Sequence, residues 1–228
     1  MSAVLGFDTA TALVAVAVAD GDDVLAEAEH GPDEAGRPRA SELLLDEIES
    51  QVAAAGGWER IGRLAVGIGP GSFTGLRIGI ATARALAQGR GLPIAGVATV
   101  DALGRGIREA HPGESALAAL DARRGEAFAA LYDTEGERAW GPEVLTPDAL
   151  AERATGAKPP PLAAGDGSVR FREQLEAAGV RVADPEDPVH RVAARHVCAL
   201  GARQQAREPA AIEPLYLRAP DADRWLRS

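Results

Sequence analysis

The chain has 228 residues, 46% of them hydrophobic and 25% charged, with a formal net charge of −10. That length serves one large domain or two small ones with a real core, and no apolar run approaches the length of a membrane span. The one lysine, Lys158, and arginines interspersed with acids argue against a basic face that grips RNA or DNA tightly, because neutralised phosphates supply most non-specific nucleic-acid affinity.

A single cysteine, Cys198, leaves no internal disulfide framework or cysteine-rich zinc site. The N-terminus has no basic segment ahead of an apolar one and does not read as a signal peptide. Cytosol is the expected compartment, with no membrane contact.

Residues 3–7 form an apolar run ending at Asp8-Thr9-Ala10-Thr11. A second run over 12–19 ends at Asp20-Gly21, a hairpin-turn dipeptide, and residues 24–29 alternate as a third strand does. A Gly/Pro/charge loop over 30–38 leads to a helix at about 39–55, where Leu44, Ile48, Val52 and Ala55 share one face flanked by Leu45. Gly56-Gly57 stops it. Residues 64–68 are a strand fit for burial on both faces. The run GPGSFTGLRIG (69–79) follows, then a helix over about 74–88, a strand at 93–97 and a helix at 99–109.

Residues 1 to about 110 therefore read β-β-β-α-β-α-β-α, a mixed sheet covered by helices, as in ribonuclease-H-like and actin-like lobes. A second half, 111–228, opens in the same manner. Strands at 116–120 and 127–132 end at Asp121 and Asp133, with the spacing that separates Asp8 from Asp20, which suggests an internal duplication. Beyond them come a short helix at 147–154, a rigid Lys158-Pro159-Pro160-Pro161 connector, and a strand at 161–164. Gly165-Asp166-Gly167-Ser168 turns into a helix running to about 178. A strand at 180–182, an amphipathic helix over 189–207 and an extended tail at 213–218 complete the pattern. The fold class is α/β, two actin-like (ASKHA, ribonuclease-H-like) lobes with the second reduced; the tail is expected to pack back on the first lobe.

The glycine run lies between a strand and a helix, where glycines permit positive φ and exposed amides favour an anion. It is not a Walker A loop, since no Lys-Ser/Thr pair follows its last glycine, and it lacks the third glycine and the later acid of a Rossmann fingerprint. Two readings stand level: an anion site made by Asp8, Thr9, Gly69, Gly71, Ser72 and Gly75, or a tight turn whose Gly75, Gly79, Ala81 and Ala85 let another helix approach. Asp8 in its turn resembles the residue that holds a nucleotide's metal and phosphates in actin-like kinases. Asp121, by contrast, is followed by bulky, cationic Ala122-Arg123-Arg124. None of His30, His111, His190 and His196 is paired at metal-binding spacing, and His190 and His196 fall on different sides of one helix. Ser72 lacks the context of a serine-hydrolase nucleophile. No catalytic residue and no metal ligand is expected.

GPGSFTGLRIG after a strand, with MSAVLGFDTAT at the start, LDARRGEAFAALY (120–132) and EPLYLR (213–218), resembles the bacterial TsaB (YeaZ) family over nearly the whole chain. The resemblance implies an accessory subunit, not an enzyme, in forming threonylcarbamoyladenosine at position 37 of tRNAs that read codons beginning with A. It implies a TsaD-like transferase and a TsaE-like ATPase as partners and a homodimer when alone. tRNA is then contacted only indirectly, no cofactor is bound by the chain itself, and any ATP or ADP sits at the complex interface. The family's partner-binding helices match those at about 39–55 and 74–88, with Leu44, Ile48, Phe73, Thr74, Leu76, Arg77 and Ile80 as interface candidates. Arg39-Ala40-Ser41 stands where many relatives have a histidine. The competing reading is an autonomous actin-like ATP-binding phosphotransferase.

Overall fold

The computed structural model describes residues 2–218. Strands β1 (Ala3–Asp8), β2 (Val14–Asp20) and β3 (Asp23–His30) form an antiparallel meander with Val4 opposite Ala19 and Asp8 opposite Ala15. Helix α1 (Ala40–Ala54) returns the chain to β4 (Ile61–Gly69), parallel to β1; α2 (Phe73–Arg90) then leads to β5 (Ile94–Ala98), parallel to β4. The resulting sheet has the order β3-β2-β1-β4-β5, and α3 (Thr99–Ala110) leaves from its last strand.

The second sheet repeats the plan. Strands β6 (Ala116–Asp121), β7 (Ala127–Tyr132) and β8 (Arg138–Leu145) form the meander, α4 (Pro147–Thr155) crosses to β9 (Leu162–Ala164), and α5 (Asp166–Arg170) and α6 (Arg172–Ala177) cross to β10 (Arg181–Val182). Its order, β10-β9-β6-β7-β8, is the first sheet's order read from the other edge. The equal Asp8–Asp20 and Asp121–Asp133 spacings mark the ends of these two opening hairpins.

The first two strands show why the sheet is covered on both faces. In β2, Val14, Val16 and Val18 join Leu5, Phe7, Leu44, Ile48 and Ile80 beneath α1 and α2. The alternate Ala15, Ala17 and Ala19 face the other way, toward α3 and α7 (Ala194–Arg203). Period-two alternation thus puts the bulky residues on one face and the small ones on the other. The small face lets α7 lie close: a Cβ at Gly6 would come 2.6 Å from Cys198 Sγ, and one at Gly201 2.4 Å from Ala65 Cβ. Cys198 is fully buried there, and burial pushes its thiol up to about 12, so it packs as a small apolar side chain. Helix α3 packs on β6 and β7 as well as on α7, so Val100, Leu103 and Ile107 join one core between the two sheets.

Three details depart from the pattern in the sequence. Strand β8 is unanticipated because Gly141-Pro142 interrupts it; at a sheet edge the missing proline N–H costs no ladder bond. The helix expected after Gly165 is broken at Phe171 into α5 and α6. The amphipathic stretch 189–207 is helical only over Ala194–Arg203. His190 lies in a separate 3-10 turn, where its Nδ1 accepts the Gly165 amide (3.0 Å), so it does not share a helix with His196.

Leu103→Ala, at the centre of the core shared by the sheets, is expected to cost about 2–5 kcal/mol, measured as a lower urea midpoint for the whole chain; an unchanged midpoint would contradict a common core.

Candidate functional site

Strand β1 delivers Asp8 to the sheet's C-terminal edge, where β4 delivers the glycine run and α3 begins. Asp8 is buried, and both its oxygens are engaged: Oδ1 accepts the Ala10 amide (2.8 Å) and Oδ2 accepts the Thr99 hydroxyl (2.8 Å). Thr99 Oγ1 in turn accepts the Gly69 amide (3.2 Å). Burial raises the Asp8 carboxyl above its ordinary value, while the Thr99 hydroxyl and the Ala10 amide pull it back down. Thr9 donates its hydroxyl to the Gly75 carbonyl (2.8 Å), and the Ser72 amide donates to the Ala10 carbonyl (2.6 Å).

These bonds draw the glycine run against the Asp8 turn. A Cβ at Gly67 would lie 1.8 Å from Asp8 Oδ2, at Gly71 2.2 Å from the Ala10 carbonyl oxygen, at Gly75 1.9 Å from the Thr9 carbonyl oxygen, and at Gly79 2.4 Å from Thr9 Oγ1. Ser72 caps α2, its Oγ accepting the Gly75 amide at 3.3 Å. The six residues proposed to hold an anion, Asp8, Thr9, Gly69, Gly71, Ser72 and Gly75, are therefore brought together. Their geometry favours the tight turn over the cradle: the amides of Gly69, Ser72 and Gly75 and both Asp8 oxygens are bonded within the protein, and the glycines remove side-chain volume so that two backbone segments touch.

The structure divides the interface candidates. Leu44, Ile48 and Ile80 are buried in the core under α1 and α2, and Leu76 is buried beside Gly69, so all four side chains are turned inward and hold these helices from beneath. Helical periodicity marks this buried face of the two helices and not their exposed one. Phe73, Thr74 and Arg77 are exposed on α2. The exposed large apolar residue of α1 is Leu45, 60% accessible, the leucine that flanks the periodic face. Phe73 (41% accessible) stacks on Tyr216 (42%) with ring centroids 5.4 Å apart, and the Arg77 guanidinium lies 3.8 Å over the Phe73 ring. Arg39 precedes α1 without a side-chain cap and pairs with Glu42 at 3.3 Å.

A cleft of about 640 Å³ separates this corner from the second sheet, lined by Ala10–Ala12, the start of α2, the turn after β6, Asp166 and residues 215–218. In that turn Arg123 and Arg124 hold φ of 62° and 54°, the left-handed region usually left to glycine. Asp121 is bound by Arg170 (2.8 and 2.9 Å) and accepts the Arg123 amide, while Asp166 accepts the Asp121 amide at 2.8 Å. Among the described residues, no three His, Cys, Asp or Glu side chains converge to hold a metal, and no helix is long and apolar enough to cross a membrane.

A family model described as TsaD, tRNA N6-adenosine threonylcarbamoyltransferase, matches residues 32–182. The tRNA threonylcarbamoyladenosine biosynthesis protein TsaB of Escherichia coli is 36% identical over 155 residues, 66% of this chain and 65% of that protein, just under two thirds of its length. The YeaZ structure from Pseudomonas aeruginosa superposes with a TM-score of 0.79 at 27% identity, over 95% of this chain and all of that one. The chain belongs to the TsaB/YeaZ branch of this family. An uncharacterized protein of Mycobacterium tuberculosis is 32% identical over 97% of this chain and 94% of its own length. A ROK hexokinase from Thermus thermophilus, at 15% identity and a TM-score of 0.53, shares the actin-like fold with this TsaB/YeaZ member.

Two glycines of α2 separate the packing role from helix propensity. Gly75→Ala sets a methyl against the Thr9 carbonyl and is expected to cost about 3 kcal/mol or more. Gly89→Ala, with no atom within 4 Å, is expected to gain roughly 0.5–1 kcal/mol. Thermal denaturation of both variants checks this; equal effects would refute the close-packing account.

Proposed function

We propose that this chain is the non-catalytic docking subunit of the complex that places threonylcarbamoyl on adenosine 37 of tRNAs reading codons that begin with A. It supports a TsaD-like transferase, a TsaE-like ATPase joins them, and alone it pairs with a second copy. The names of its relatives support the pathway. The observation that carries the subunit role is the closed contact between the glycine run and Asp8–Ala10. The carboxylate that a phosphotransferase of this fold would aim at a metal and phosphates is instead buried and bonded on both oxygens.

In this reading α1 and α2 are the docking helices. Leu45, Phe73, Thr74 and Arg77 meet the partner, while Leu44, Ile48, Leu76 and Ile80 keep the two helices in register. An exposed aromatic beside an arginine is the composition in which interface energy concentrates. The net charge of −10 fits a cytosolic subunit that leaves tRNA binding to its partners. Any ATP or ADP would lie at the interface with them, not on this chain alone.

Omitting the chain from a reconstituted system of transferase and ATPase is expected to abolish tRNA modification; full modification without it would end this reading. ATP turnover by the pure chain, lost in Asp8→Ala, would favour an autonomous phosphotransferase instead. Leu45→Asp and Phe73→Asp, both at exposed positions, are expected to leave the fold intact and weaken transferase binding about tenfold or more, because docking would bury an unpaired carboxylate. Titration calorimetry checks this, and wild-type affinity in both variants would place the contact elsewhere.

A further inference from the structure

After α7 the chain runs back along the first sheet. The Arg207 amide donates to the Ile94 carbonyl (2.8 Å), Arg84 Nε of α2 donates to the Ile212 carbonyl (2.9 Å), and Ile212 is buried in the core under α1 and α2. The Leu215 amide then donates to the Ile68 carbonyl (2.7 Å), at the end of β4 where the glycine run begins. Tyr216 stacks on Phe73, and its hydroxyl lies 3.5 Å from Arg77 Nε. Two residues later the chain has reached the other side of the cleft: Arg218 Nη1 donates to the Ala122 carbonyl (3.0 Å), and the same guanidinium pairs with Glu126.

Residues Ala122 and Glu126 close the turn that holds Arg123 and Arg124 at positive φ, the Ala122 amide donating to the Glu126 carbonyl at 2.9 Å. Non-glycine residues in that region carry strain, and they persist where surrounding contacts over-determine them. Arg218 supplies one such contact from outside the hairpin. Residues 215–218 also form one wall of the cleft.

We infer that residues 213–218 are a strap that couples the exposed Phe73–Arg77 corner of α2 to the Ala122–Glu126 turn across the cleft, so that a partner seated on that corner also fixes the turn and the cleft opening. The inference rests on the docking role of α2 for its partner arm only; the strap itself is a property of the free chain. Coupling of this kind is reciprocal: what loosens one end loosens the other. The relevant contrast is Tyr216, whose ring contact is with Phe73, against Arg218, which grips the turn directly.

Amide hydrogen exchange read by mass spectrometry tests this on the full chain. Arg218→Ala is expected to speed exchange of the 122–126 peptide about tenfold or more, through the loss of its contacts with the Ala122 carbonyl and Glu126. Tyr216→Ala is expected to speed the same peptide as well, with β1 peptides unchanged. Wild-type exchange of the turn in Tyr216→Ala would overturn the strap, as would an acceleration that extends equally to β1. Adding the transferase partner should slow exchange of the turn in wild type and not in Arg218→Ala. Binding without any change at the turn would overturn the coupling to the partner while leaving the docking role; no binding at all would overturn the docking role, and the free-chain comparison would still decide the strap.

Discussion

The structure depends on one contact: the glycine run after β4 pressed against the turn that follows β1. Gly67, Gly71, Gly75 and Gly79 recur every fourth residue, and each stands where a side chain would strike Asp8, Thr9 or Ala10. Asp8 completes the joint by bonding to Thr99, which bonds to Gly69, so the ends of β1 and β4 and the start of α3 form one hydrogen-bonded corner. A buried carboxylate stays tolerable only with such partners. The corner sets the position of α2's first turn, and with it the outward aim of Phe73, Thr74 and Arg77. The space beside the loop is filled by the chain's own backbone.

From that corner the rest follows by layers. The Val/Ala alternation of β2 gives the first sheet a bulky face for α1 and α2 and a shallow face for α7, and α3 shares its core with the second sheet. The two sheets are thereby tied through a helical layer in which Val100, Leu103 and Ile107 fill the core and alanine and glycine allow close approach. The exposed Leu45, Phe73, Thr74 and Arg77 sit on the opposite side, on helices whose buried residues belong mostly to the first sheet's own core.

Much of this was legible in the sequence because period-two and period-3.6 patterns report burial directly. The opening meander, the strand–glycine–helix unit and the duplicated hairpin of the second half were all visible that way. Two kinds of feature were not. Strand β8 carries Gly141-Pro142 and holds its place by edge position, which composition does not encode. The site was half legible: the sequence marks that Asp8 and the glycines matter, but whether they face a ligand or each other is settled by distances of 2–3 Å between segments some 60 residues apart. Thr99, the link between Asp8 and Gly69, carries no motif. For the same reason periodicity singled out Leu44 and Ile48, which face the core, whereas Leu45 was visible only as the apolar residue out of phase. Tyr216 gained its role through a tail that packs far from its neighbours in sequence.

The account holds Asp8 to be a structural carboxylate rather than a chemical one, and Asp8→Asn addresses that most directly, since Asn keeps the oxygen that accepts the Ala10 amide. Provided circular dichroism shows the variant folded, the measurement is the rate of tRNA modification when it replaces the wild-type chain in the reconstituted complex. The account predicts the wild-type rate. A loss of about a hundredfold or more with the fold and partner binding intact, the size expected when a general base or metal ligand is removed, would contradict it.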